Sequence, residues 1–207
     1  MKIVAFSDTH ASEHQVKLPE GDVLVFAGDF SGMSTEQDVI RFNAWLGKQM
    51  HPRKIIIAGN HDRFCEQSSV LANLLLSNAD YLEDSEITID GVRFYGTPYT
   101  PMFNNWSFMR EEEELEKIYN KIPNGIDVLI SHGPPDTILD DCKGSWALLD
   151  AVNRVKPKIH IFGHIHGGYG IYQRSEHSTT FINASLLNDS YELVNLPIVK
   201  EICIDRV

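Results

Sequence analysis

Lys2-Ile3-Val4-Ala5-Phe6-Ser7-Asp8-Thr9-His10 opens the chain as an apolar run that ends abruptly in an acid and an imidazole. A run this short, without a polar residue at every second place, suits a strand buried on both faces. The pattern recurs along the chain. Residues 23–27 lead into Gly28-Asp29, and residues 54–58 into Gly59-Asn60-His61-Asp62. Residues 127–130 lead into Ser131-His132-Gly133, and residues 159–162 into Gly163-His164-Ile165-His166. One such island is weak evidence. Five place Asp, His and Asn side chains at the ends of five strands, where adjacent strands of one sheet can bring them together.

Between these strands the pattern turns helical. Ser34-Thr35-Glu36-Gln37 reads as a capping box opening a helix to about residue 50, with Val39, Ile40, Phe42, Trp45 and Leu46 inside. Further helices are expected over 66–77, 110–121 and 145–155. Residues 87–90 and 92–95, joined through Asp90-Gly91, read as a hairpin. Residues 97–108 hold Pro98, Pro101, Asn104 and Asn105 among Tyr99, Phe103, Trp106 and Phe108, which reads as an aromatic loop. Strands are expected again at 170–173, 179–182 and 198–204. Alternating β-α-β units with hairpins imply an α/β chain with mixed sheets.

Composition narrows the function classes. The 207 residues are 43% hydrophobic and 23% charged, as in an ordinary globular protein, and support one domain spanning 1–207. No apolar run is long enough for a membrane span, and the first apolar run meets Asp8 too early for a signal peptide. A cytoplasmic address is therefore expected. Cys65, Cys142 and Cys203 form no CxxC pair and read as reduced thiols. A net charge of −11 argues against an extended nucleic acid as partner. It leaves a small phosphoester open, because bound metals dominate the local field.

Hard and borderline ligands collected at strand ends point to a two-metal phosphoester hydrolase. Two divalent ions about 3.5–4 Å apart bind phosphoryl oxygens and lower the pKa of a bridging water. Asp29 is the natural bridging carboxylate, with Asp8, His10, Asn60, His132, His164 and His166 around it. Two dications, two aspartates and one bridging hydroxide leave a net charge of about +1, which suits a phosphate anion. Mn²⁺ is the first candidate, with Fe or Zn²⁺ as alternatives.

In this order the islands resemble the DxH, GD, GNH[DE], lone His and GHxH motifs of the calcineurin-like metallophosphoesterase family, from Asp8 to His166. The resemblance implies a four-layer α/β/β/α sandwich with two mixed β-sheets flanked by helices. It implies that Asp8, His10 and His166 hold one metal, that Asn60, His132 and His164 hold the other, and that Asp29 bridges them. His61 would protonate the leaving group or steady the transition state, with Asp62 orienting and polarising it. Gly28-Asp29-Phe30-Ser31-Gly32 departs from the GDxxD form of many members, which points away from a protein-phosphatase-type site. Tyr95-Gly96-Thr97-Pro98 and Phe103-Asn104-Asn105-Trp106 are similar to a branch of small phosphodiesterases, the metallophosphoesterase-domain proteins.

The expected activity is hydrolysis of a small phosphodiester, with a nucleotide among the candidates. A nucleotide or protein phosphomonoesterase and a metal-loaded nucleotide-binding module are the alternatives. Asn60 and His61 are expected to touch the phosphate, with Arg63 as a further contact. Tyr99 and Phe103 offer faces on which a base could stack, while Trp106 and Phe108 are expected to pack on the sheet edge. His160 reads as structural, and His14 and His177 as loop residues.

Overall fold

The computed structural model describes residues 1–173 and 178–203. Its strands are β1 (Lys2–Phe6), β2 (Val23–Ala27), β3 (Arg53–Ile57), β4 (Asp80–Tyr81), β5 (Ser85–Ile89), β6 (Val92–Thr97) and β7 (Thr100–Pro101). They continue with β8 (Met109–Arg110), β9 (Val128–Ser131), β10 (Ile159–Phe162), β11 (Gly170–Gln173), β12 (Thr180–Asn183) and β13 (Ile198–Glu201). The helices are α1 (Glu36–Leu46), α2 (Arg63–Gln67), α3 (Ser69–Leu75), α4 (Glu112–Tyr119) and α5 (Trp146–Val155).

Two mixed sheets stack between helices. The first runs β13-β1-β2-β3-β4, parallel except for β13; the second runs β11-β12-β10-β9-β6-β5, with antiparallel β11 and β5 at its edges. Strand alternation builds the layers. Ile3 and Ala5 of β1 face Phe94, Val128, Ile130 and Ile161 of the second sheet. Val4 and Phe6 point the other way, against Val39, Phe42 and Leu46 of α1 and Ala72 of α3. On the far side Leu129, Phe162 and Phe181 pack on Leu115 and Tyr119 of α4 and Leu148 and Val152 of α5. This is the expected four-layer sandwich. Among the described residues no helix is long and apolar enough to cross a membrane.

Several boundaries differ from those expected. Helix α1 is capped by Thr35, whose hydroxyl accepts from the Asp38 amide while Asp38 reaches back to the Thr35 amide, so the box is Thr35–Asp38. The helix stops at Leu46, and Ile40 is exposed rather than inside. The helix expected over 66–77 breaks at Ser68, which sits at φ −141°, ψ 48°. Serine competes for backbone hydrogen bonds and so weakens a helix there. The aromatic loop contains a short parallel pair, β7 with β8. The last strand ends at Glu201; position 204 and His177 lie outside the described residues.

Candidate active site

All five polar islands follow the C-terminal ends of parallel strands, the edge where open α/β sheets present ligands. Contrary to the expectation from sequence, they do not share one sheet. β1, β2 and β3 belong to the first sheet, β9 and β10 to the second. The sheets are tied together at this edge by a bridge between Ser7 and Ser185, with the Ser7 amide donating to the Ala184 carbonyl at 3.0 Å. The site lies on that seam. Turning side chains inward there needs unusual backbone: Asp8, His10, Asp29 and His164 have φ of 54°, 41°, 64° and 66°. Left-handed backbone in non-glycine residues is strained and clusters at functional sites.

Asp29 lies between two imidazoles. Its Oδ2 is 3.8 Å from His10 Nε2 and 3.3 Å from His132 Nε2, and its Oδ1 accepts the His61 amide at 2.7 Å. On one side, Asp8, His10 and His166 bring ligand atoms within 4.8 Å of one another; on the other, Asp29, His132 and His164 do the same. Asn60 Oδ1 joins the second group, 2.8 Å from His132 Nε2. The Asp8 carboxylate is pinned by the hydroxyls of Ser7 and Ser185 and by the His164 amide.

The donor set fits divalent cations. His132 Nδ1–H donates to the Ala27 carbonyl at 2.8 Å, which leaves Nε2 facing two oxygens, Asp29 Oδ2 and Asn60 Oδ1. Only a proton or a metal ion satisfies all three at once. His10 Nε2 is buried with no hydrogen-bond partner, the orphaned lone pair of a ligand. His166 Nδ1 sits 3.0 Å from the Asn188 carbonyl, which turns Nε2 toward Asp8.

Charges respond to this crowding. Burial opposes ionisation of Asp8, yet His166 and His132 hold it down at about 2. Asp29 is likewise kept well below the usual carboxylate range by His132 despite burial. Burial would lower His132, but Asp29 beside it raises it to about 9. Burial and the neighbouring His132 push His164 down to about 4. Positive charge on His132 and His166 thus offsets the two carboxylates, a role that bound cations would take over.

Not every expected role survives. Asp62 is fully buried, and its carboxylate accepts the amides of Asp29 at 2.9 Å, Gly59 at 2.8 Å and Ser31 at 2.9 Å. It straps the Asp29 loop to the Asn60 loop instead of polarising the His61 ring. Tyr99 packs its ring on Phe108 and under the Arg110 guanidinium, away from the cavity. Arg63 is exposed at the start of α2 and does not line the cavity either. Phe103 does line it. So does Trp106, which packs tilted against the His61 ring instead of on the sheet edge, whereas Phe108 is buried as expected. His160 is structural: buried in β10, it meets the Ser131 hydroxyl at 2.7 Å.

Three contributors escaped the sequence reading. Ser185 supplies a hydroxyl to Asp8, and Asn188 fixes the orientation of His166. Tyr191, at φ 59°, sets its ring 5.0 Å from His10 and 5.1 Å from His166. Asn188 and Tyr191 follow no apolar strand run, and Ser185, two residues past the end of β12, carries no acid or imidazole to mark it. A cavity of about 600 Å³ opens over the cluster, from Met102, Phe103 and Trp106 on one flank to Lys143, Asp189 and Tyr191.

Residues 1–168 match the family described as calcineurin-like phosphoesterase. Metallophosphoesterase domain-containing protein 1 of Homo sapiens is 40% identical over 231 aligned residues, covering 96% of this chain and 70% of that protein. UPF0046 protein K07C11.7 of Caenorhabditis elegans is 36% identical, covering 96% of this chain and 74% of its own. Among solved structures, TT1561 of Thermus thermophilus superposes with a TM-score of 0.62 at 11% identity over 88% of each chain, a likeness of fold.

Proposed function

Because the chain belongs to the calcineurin-like phosphoesterase family, we propose that it hydrolyses a small phosphodiester at a dinuclear metal centre. Asp8, His10 and His166 would hold one ion, Asn60, His132 and His164 the other, and Asp29 would serve both. Mixed imidazole, carboxylate and amide donors suit Mn²⁺ first, with Fe or Zn²⁺ also compatible. Two such ions supply charge neutralisation for the phosphoryl oxygens and a more acidic attacking water.

The chain's own groups do the rest. Asn60 and His61 flank the phosphate, with the Asp62 strap holding their loop against Asp29. His61 borders the cavity and gives its ring proton to the departing alkoxide. Phe103, 64% exposed at the rim, offers a face to a base, which supports a nucleotide-like arm.

The observation that carries the diester reading is the cavity itself. Its lining runs from Met102, Phe103 and Trp106 through the ligand cluster to Lys143, Asp189 and Tyr191, and its volume of about 600 Å³ suits a substrate larger than a bare phosphate monoester. Among its lining residues Lys143 is the one lysine or arginine, and that side chain already pairs with Asp141 at 2.8 Å. A monoester dianion would want more cationic donors than a diester with its single charge. The test compares turnover of bis-p-nitrophenyl phosphate and p-nitrophenyl phosphate by chelator-treated protein reloaded with Mn²⁺. Preference for the diester, with His61→Ala losing about 10²–10⁴-fold in kcat while keeping its metal, is the expected result. Preference for the monoester refutes the diester reading, and undiminished turnover by the His61 variant removes its acid role.

A further inference from the structure

His61 carries the proton in this scheme, yet no hydrogen bond holds its ring, although a ring nitrogen lies within 4.8 Å of an Asp29 carboxylate oxygen and of a His10 nitrogen. Its amide is bonded to Asp29, and the adjacent Asp62 carboxylate is committed to three backbone amides. Among the described residues no side chain hydrogen-bonds the imidazole. The ring is instead held by other rings. Trp106 lies 4.2 Å away at 40°, and His10 lies 4.6 Å away, edge-on at 86°.

Trp106 is anchored to do this. The next residue, Ser107, donates its amide to the Asn60 carbonyl at 3.3 Å, so the loop is bonded to the residue preceding His61. Phe108 is fully buried beneath it, and the Thr100 amide closes the loop on the Phe108 carbonyl at 3.0 Å. Trp106 itself stays 39% exposed, so its ring is held by the loop anchors and by His61 and not by the core.

We infer that Trp106 is the positioning residue for His61, its indole holding an imidazole that no carboxylate hydrogen-bonds. The inference rests on the acid role proposed above for His61. Proton transfer demands heavy-atom contact at hydrogen-bond distance, and a misplacement of about 1 Å can cost about 100-fold in rate. A ring freed from its stacking partner samples such misplacements.

Trp106→Ala should therefore lower kcat for bis-p-nitrophenyl phosphate by about 10–100-fold with little change in KM. Trp106→Phe should restore most of the loss, since any flat ring can stack. In a His61→Ala background, Trp106→Ala should cost nothing further, because residues acting through one another are not additive. An equal loss in both backgrounds, or a rise in KM alone, would make Trp106 a substrate contact and overturn the inference. A second readout needs no turnover. The His61 ring resonances in a carbon–proton NMR spectrum should move and broaden in Trp106→Ala, and unchanged lines would likewise overturn it. Absence of any phosphoesterase activity in the unmodified protein would instead refute the proposed function, leaving the ring measurement to decide the role of Trp106.

Discussion

Gly163→Ala tests the architecture of the site with one methyl group. Gly163 follows β10, and an added Cβ would lie 2.2 Å from Asp8 Oδ2 and 2.2 Å from Ser7 Oγ. The glycine is not in the left-handed region, so crowding acts without a backbone term. Reaching ordinary contact requires a displacement of about 1 Å. Asp8 cannot yield freely, because its carboxylate is fastened by two hydroxyls and the His164 amide. Breaking one hydrogen bond to a buried carboxylate costs about 1.5–3 kcal/mol, and overpacking about 1–3 kcal/mol. A loss of about 3 kcal/mol corresponds to a Tm lower by about 6–12 °C for a chain of this size. The damage should also be one-sided. Asp8 belongs with His10 and His166, so that group takes most of the strain; His164 shares it through its amide bond to Asp8, while the added methyl does not reach Asp29 or His132. On the dinuclear reading proposed above, calorimetric titration of the chelated variant with Mn²⁺ should show one of the two ions bound more weakly than by the parent protein. A variant that melts within about 1 °C of the parent and takes up two ions at unchanged affinity would refute both the packing argument and the ligand set.

Asp29→Asn should weaken both ions by more than about 100-fold, since even outer partners of metal ligands are worth 10–100-fold; a competition titration in which either site keeps its full affinity contradicts the bridging role. Asp38 tests the fold away from the site. Burial opposes its charge, but the Thr35 amide and the Arg41 guanidinium hold its carboxyl down at about 2. A depressed carboxyl stabilises the native state above the unfolded value near 3.9 and loses that contribution as pH falls toward 2. After allowance for screening this is about 1–2 kcal/mol. Melting curves between pH 5 and pH 2 should fall more steeply for the parent than for Asp38→Asn; parallel curves would show that the capping box carries no such term.

The candidate ligands were legible in sequence because each is local, a polar residue directly after an apolar strand run. Asp8, Asp29, Asn60, His132 and His164 all obey that rule, and the structure gathers them within one cluster. What could not be read is which strands pair. The runs before Asp8 and before His132 look alike, because both sheets are buried on both faces and neither alternates in polarity. Their assignment to two sheets depends on contacts far apart in sequence, such as the Ser7–Ser185 bridge. Asp62 misled for the opposite reason. Its adjacency to His61 suggested a partnership, but neighbouring residues in a tight turn point apart, and Asp62 faces the amides of Gly59, Asp29 and Ser31. The aromatic loop has no period to read. Only its anchoring at Asn60 and on buried Phe108 decides that Trp106 enters the cavity while Tyr99 turns away.

The distribution of strain explains why the site is built on strand ends and not on free loops. Left-handed backbone at a non-glycine residue costs about 1–3 kcal/mol, so Asp8, His10, Asp29 and His164 together commit about 4–12 kcal/mol. That rivals the whole net stability of an ordinary domain, about 5–15 kcal/mol. A mobile loop would relax and release it. Each of these residues is instead within a few positions of a strand locked between layers: Asp8 and His10 follow fully buried Phe6, Asp29 follows Ala27, and His164 follows Phe162. Their backbones are tied between the ends of β1 and β2 as well, with the Asp8 amide donating to the Gly28 carbonyl at 2.9 Å and the His10 amide to the Asp29 carbonyl at 3.0 Å. The three apolar clusters thus hold a set of donors in an arrangement that the donors alone would not choose. Two buried carboxylates beside an imidazole nitrogen with no hydrogen-bond partner concentrate negative charge and lone pairs in one place, which favours a divalent cation there over solvent.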